Sequence, residues 1–336
     1  MILDCSPGCS AVTRLIRIAW LVPAVFVAMM GVGAADDDPS NSRRPKSDAE
    51  LRYWLENLVW HHRFNHDEIH QALGLNEAEI AGALKQFDIR DDNRPARPAA
   101  RLFVRPYPGG RHPRIGFLDG AVDPQRETKV SVFTPWQPTD GSRADYVVVD
   151  VPEAIWSNLG LTYLAHTHVP TIWEKQNVKL EPLEWRRHGD DSLSMTRKLP
   201  NGIEFAANVK PYADHVGMEL TLKNGTKETL SDLRVQNCVM LREADGFAQQ
   251  TNDNKHLVAP FAVVHNDDRT RWIITAWKPN HRTWGNAPCP CLHSDPKFPD
   301  CAPGETKKLV GWLSFYEGRD IEAELQRIEA LDWSIR

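Results

Sequence analysis

Two histidines one residue apart, His166 and His168, stand in the stretch LTYLAHTHVPTIWEKQ. In an extended chain residues i and i+2 face the same side. That spacing suits two ligands for one metal ion, or a proton-transfer pair beside a substrate. It equally suits two imidazoles hydrogen-bonded at a strand end. A second candidate pair lies in DHVGMELTLK, where Val216, Met218, Leu220 and Leu222 alternate with His215, Gly217, Glu219 and Thr221. The alternation predicts a strand with a core face and a polar face. His215 and Glu219 would share the polar face, roughly 13 Å apart at Cα, a span that could flank a sugar ring. His215 or Glu219 would complete a metal site begun by His166 and His168; no cofactor is otherwise expected.

The next apolar run, Leu233–Leu241, repeats the pattern, with Arg234, Gln236 and Cys238 on its polar side. A short connection predicts a hairpin with the preceding strand. His215, Glu219, Arg234 and Gln236 would then share one wall. The segment 278–304, rich in Pro, Cys, His and Asn, reads as a long loop over that wall. It carries Trp284 and His293. Trp277, just before it, and Trp284 are candidate platforms for a sugar ring, among twelve tryptophans in the chain. Arg186 and Arg187 would bind an anionic sugar, since guanidinium binds planar anions in a bidentate way; Asp190 and Asp191 offer them an ordinary alternative partner.

These side chains need a frame. Short apolar runs at 129–133, 146–151, 203–209, 215–223, 233–241, 257–264, 272–277 and 309–316 alternate with turn-formers such as Asn201-Gly202 and Asn224-Gly225. They predict a mainly β protein, an antiparallel sandwich over residues 115–336 closed by a helix at 320–331. Upstream, residues 48–90 read as a small helical module: Asp48 caps a first helix, Asn65 with Glu68 opens a second, Gly74 stops it, and Asn76 caps a third. The pair around Gly74 has the outline of a helix-turn-helix, but acidic residues on its faces predict a packing or protein-docking unit. Residues 91–114, rich in Pro and Arg, read as a linker or wrapping loop.

The chain has 336 residues, a formal net charge of -5 and no broad basic field, which argues against nucleic acid as a partner. Residues 1–35 place Arg14 and Arg17 before a short apolar run and a small-residue site, the pattern of an export signal. A periplasmic or secreted protein is expected, touching membrane only through an uncleaved signal. Residues 36–47 are polar and predict a disordered linker. Beyond the signal lie Cys238, Cys289, Cys291 and Cys301. Outside the cytoplasm they predict disulfides whose pairing the sequence leaves open; a bridge from Cys238 to Cys289, Cys291 or Cys301 would staple the 278–304 loop over the wall. With His293 they would also suit a metal.

The stretch DHVGMELTLKNGTKETLSDLRVQNCVML, within about residues 202–316, resembles the later strands of galactose-mutarotase-like sandwiches. The resemblance implies a supersandwich-like fold and a carbohydrate substrate, polysaccharide or oligosaccharide. It also implies a histidine and a carboxylate on a concave sheet, for which the matching positions are His215 and Glu219. The expectation is a carbohydrate-active lyase, epimerase or hydrolase; the alternatives are a non-catalytic glycan- or partner-binding module and a His-x-His metal protein.

Overall fold

The structure, a computed structural model, describes residues 42–97, 100–115, 126–136, 144–166 and 169–333. The expected export signal and His168 lie outside them. Among the described residues, no helix is long and apolar enough to cross a membrane.

Three helices open this part of the chain: α1 (Asp48–Leu55), α2 (His66–Leu73) and α3 (Glu77–Gln86). Asn65 and Glu68, then Asn76 and Glu79, form reciprocal capping boxes. Gly74 ends α2 at φ 65°, a left-handed cap that glycine adopts without penalty. The cap of α1 is Ser47 rather than the expected Asp48. A π-helical turn at Glu56–His61 carries the chain toward the sheet.

Strands follow as β1 (Phe103–Pro106), β2 (Lys129–Phe133), β3 (Tyr146–Ser157), β4 (Gly160–Leu164), β5 (Arg186–Arg187), β6 (Leu193–Lys198), β7 (Glu204–Pro211) and β8 (His215–Lys223). After them come β9 (Val235–Met240), β10 (Lys255–Val258), β11 (Phe261–His265), β12 (Arg271–Lys278), β13 (Asn280–Asn286), β14 (Cys291–Pro296) and β15 (Thr306–Glu317), then helix α4 (Ile321–Ala330). They make two antiparallel sheets, as expected for a sandwich. One runs β1-β2-β3-β9-β14-β13, with β4 also on β3; the other runs β10-β11-β12-β15-β8-β7-β6-β5. The segment read as a linker therefore supplies an edge strand, β1.

The period-two alternation sets the core. Val147, Val149, Val235 and Val239 from the first sheet meet Val216, Met218, Leu220 and Leu222 from the second in one buried cluster. Trp277 joins them at 1% exposure. It fits because Gly311 leaves room where a Cβ would strike the indole. A sugar cannot reach it, so the expected platform is a core residue.

The outer face of the first sheet is divided. At one end His62 packs on Phe133 and Tyr146, and its Nε2 lies 2.7 Å from Ser131 Oγ. The helices cover that end. The other end, with Glu153, Gln236 and His293, stays open. The outer face of the second sheet lies under α4, where Leu325 and Ile328 pack on Trp312 and Trp333.

The expected β8–β9 hairpin does not form. β8 pairs with β7 and β15, while β9 pairs with β3 and β14 in the opposite sheet. The run 278–304 is not one loop but holds β13 and β14. Its strands lack the apolar alternation by which strands are read from sequence, because β14 buries Cys, His, Ser and Asp.

Candidate functional site

β3 is an apolar strand interrupted by two carboxylates, Asp150 and Glu153. Its ladder with β9 slips between Asp150 and Ala154. Pro152 has no N–H to give the ladder and sits in this irregularity, where proline is tolerated. A bulge re-aims side chains, and Glu153 lines the pocket on the sheet's outer side. β4 folds back on β3, and Ala165 donates its N–H to Glu153 O at 2.7 Å. That fixes the next residue, His166, beside the Glu153 carboxylate.

Glu153 is 2% exposed and held on both oxygens. His166 Nε2 lies 2.7 Å from Oε1, Arg114 donates to the same oxygen, and Gln236 Nε2 donates to Oε2 at 2.8 Å. Arg114 Nη1 also lies 3.3 Å from His166 Nε2. Behind them Asp150, fully buried, pairs with Lys129 at 3.0 Å and lies 3.8 Å from Arg114. Burial alone would raise the Glu153 carboxyl, but Arg114, the His166 hydrogen bond and nearby His293 hold it well below its usual value. Burial pushes His166 down to about 4 against the opposing pull of Glu153, with Arg114 adding to the drop. At neutral pH the pair is a carboxylate and a neutral imidazole. The ring donates from Nε2 to the carboxylate, so its lone pair is on Nδ1.

Around this pair lies a pocket of about 330 Å³. Its apolar lining includes Trp156, Leu161, Leu164, Val169 and Trp284, and its polar lining Gln236, Asn286, Lys175 and His293. The Trp284 indole stacks on the His293 ring at 3.8 Å and 7° and donates Nε1–H to Asp295 Oδ2 at 2.7 Å. Arg282 also holds Asp295, at 2.8 Å. Lys175 is exposed and makes no ion pair among the described residues.

Of the residues expected from sequence, the pocket gathers His166, Gln236, Trp284 and His293. Arg234 stands beside it, 5.8 Å from the Trp156 ring, paired with Asp232 at 3.0 Å. His215 and Glu219 are not on this wall. They line a separate pocket on the outer face of the second sheet. There His215 is stacked between Tyr212 at 4.5 Å and Trp312 at 3.8 Å, and Glu219 pairs with Lys308 at 2.5 Å. The single wall of His215, Glu219, Arg234 and Gln236 is thus two opposite faces, because β8 and β9 belong to different sheets. A metal shared by His166 and His215 is excluded for the same reason. Arg186 and Arg187 lie on the edge strand β5, and Arg187 stacks on Tyr53 at 3.4 Å, away from the pocket.

The sequence reading missed Glu153, Arg114 and Trp156. For Glu153 a signal existed: a carboxylate after proline inside the apolar run YVVVDVPEAIWS. Arg114 gave none. Cys238, Cys289, Cys291 and Cys301 are free thiols in the structure, so it shows no disulfide staple. Instead Cys238, Cys291 and His293 cluster, their donor atoms all within 4.8 Å.

No family model and no curated protein matches this chain. Solved structures similar to it include a candidate aldose 1-epimerase of Escherichia coli K12, at 13% identity and TM-score 0.34 over 55% of this chain and 89% of that one. A polysaccharide lyase aligns at 12% identity and TM-score 0.30, over 67% of this chain and 34% of the lyase. The heparan sulfate lyase HepC of Pedobacter heparinus aligns at 8% identity and TM-score 0.32, over 83% of this chain and 43% of the lyase. This chain therefore spans less than half the length of each of those two lyases. What the site can do follows from its own groups.

Proposed function

We propose that the pocket on the outer face of the first sheet binds a saccharide and that His166 moves a proton on it, in an elimination or an epimerisation. The observation that carries this is the buried Glu153–His166 hydrogen bond at 2.7 Å in a pocket lined by Trp156 and Trp284. An indole face covers the apolar side of a sugar ring, while Gln236, Asn286 and Lys175 offer hydrogen-bonding groups for hydroxyls or a carboxylate. The Glu153 carboxylate would stabilise the imidazolium formed when the neutral His166 ring takes a proton, offsetting the burial that lowers its basicity. Proton abstraction from carbon next to a sugar carboxylate would leave negative charge that Lys175 and Arg114 are placed to offset.

Hydrolysis by paired carboxylates is less well supported. That chemistry needs two carboxyl groups flanking the bond, and Glu153 is the one carboxylate among the described lining residues. Its charge is already committed to three donors, which suits an orienting role rather than an acid.

Export belongs to the same proposal, supported by the Arg14 and Arg17 pattern before the apolar run. The amino-terminal sequence of protein recovered from a native host would begin near residue 36.

The test is a panel of neutral and acidic polysaccharides and oligosaccharides, read by ultraviolet absorbance for elimination and by NMR for epimerisation, with calorimetry for binding. Turnover of one sugar class, lost in His166→Ala, supports the reading. Binding without turnover makes the protein a glycan-binding module, and no binding across the panel removes the carbohydrate assignment.

A further inference from the structure

We propose that Cys238, Cys291 and His293 hold a single zinc(II) ion whose fourth coordination position opens into the pocket. This stands on the cluster itself and not on the saccharide reading. Three soft or borderline donors converge, and each residue is at least nine-tenths buried, with Cys238 at 0%, Cys291 at 2% and His293 at 2% exposure. Cys291 Sγ lies 3.3 Å from His293 Nε2, and all three donor atoms lie within 4.8 Å of one another. Zinc bound tetrahedrally at about 2.3 Å to sulfur and about 2.0 Å to nitrogen separates its ligand atoms by about 3.5–3.8 Å. Shifts of a few tenths of an ångström to about 1 Å would bring these three onto one ion.

The backbone holds the cluster rigidly. β9 and β14 pair Cys291 with Met240 and Leu292 with Val239, so the next step of the ladder sets His293 across from Cys238. Trp284 stacked on His293 fixes the ring plane. With Nε2 turned to the sulfurs, Nδ1 faces Glu153 at 3.9 Å and Asp295 at 3.8 Å. Closing either gap to a hydrogen bond from Nδ1–H would give the carboxylate support that metal-bound histidines usually have. Nδ1 has no hydrogen-bond partner among the described atoms.

Charge favours a divalent ion. With both thiols ionised, the connected buried network holds five anionic groups: Cys238, Cys291, Glu153, Asp150 and Asp295. Three cations, Arg114, Lys129 and Arg282, face them. With Lys255 near Cys291 as a further cation, the network still keeps a net negative charge that a divalent cation would offset. Cys291 and His293 both line the pocket, so the open position faces it. Three protein ligands with one open position is the arrangement of zinc sites that bind a water or substrate.

The experiment uses the full chain, purified without chelator, with bound metal measured by plasma mass spectrometry. The protein is then stripped, reduced under nitrogen and titrated with zinc(II), with copper(I) in a parallel arm. One zinc per chain is expected in the wild type. It is lost in Cys291→Ser and in His293→Gln and kept in Cys301→Ser. Cobalt(II) added to the reduced wild type is expected to give intense thiolate-to-metal absorption, which keeps the test valid should the variants misfold. Three results would overturn the proposal: no stoichiometric zinc with no thiolate–cobalt band, a preference for copper(I) that excludes zinc, or peptide mapping that finds Cys238 and Cys291 joined as a disulfide in the isolated protein.

Discussion

His166 and Glu153 meet at 2.7 Å because a two-residue turn folds β4 back on β3, bringing residues 13 apart in sequence side by side under Arg114. Both are about 2% exposed, so their charge states are set by each other and by their buried neighbours.

Removing the Glu153 charge leaves the Arg114 guanidinium buried against a neutral group in place of its close carboxylate, with Asp150 3.8 Å away. Breaking one side of a buried pair costs about 3–5 kcal/mol. Glu153→Gln is therefore expected to lower the urea midpoint by several times the change in Glu219→Gln, whose exposed pair with Lys308 is worth under about 1 kcal/mol. Equal small shifts in the two variants would contradict the assigned burial of the network.

Stability is expected to fall in mild acid. Burial holds His166 at about 4, His112 at about 4 and His61 at about 3, against an ordinary value of 6.5. Between those values and 6.5 the unfolded chain binds protons that the folded chain does not, so stability rises with pH across that window. It is complete above about 6.5 and is lost as pH falls toward 4, by an amount on the order of 3 kcal/mol for His166 alone. Urea unfolding at several pH values checks this, and His166→Asn is expected to flatten the curve. A curve flat from pH 7 to pH 4 would count against the buried neutral histidines.

Trp284 couples the pocket wall to the floor, since it stacks on His293 and holds Asp295. Trp284→Ala is expected to weaken saccharide binding about tenfold or more, from lost ring contact and a loosened His293. Calorimetry with the sugar identified by the panel measures it. Unchanged affinity would place the sugar elsewhere.

How much of this was legible in the sequence depends on local pattern. Period-two apolar alternation and the Asn-x-x-Glu caps exposed most strands and the helices, because their causes lie within a few residues. Sheet membership did not show. The short 224–234 connection suggests a hairpin, yet it crosses between sheets, and this one long-range choice moved His215 and Glu219 to the far face. β14 was hidden because its buried residues are largely polar or cysteinyl, and β13 because it buries none, so the composition reads as loop. Of the site, His166, Gln236, Trp284 and His293 were found by residue type. Glu153 needed the bulge, and Arg114 needed the tertiary contact that alone marks it.

The two faces can be separated in one comparison. Turnover of the panel's best saccharide is measured for the wild type, His166→Ala and His215→Ala, each checked for folding by circular dichroism. With His166 as the proton-transfer group, His166→Ala lowers kcat by about 10²–10⁴, while His215→Ala, stacked under α4 on the opposite face, loses stability but keeps its rate. Full activity in His166→Ala, or its abolition in a folded His215→Ala, would contradict the account.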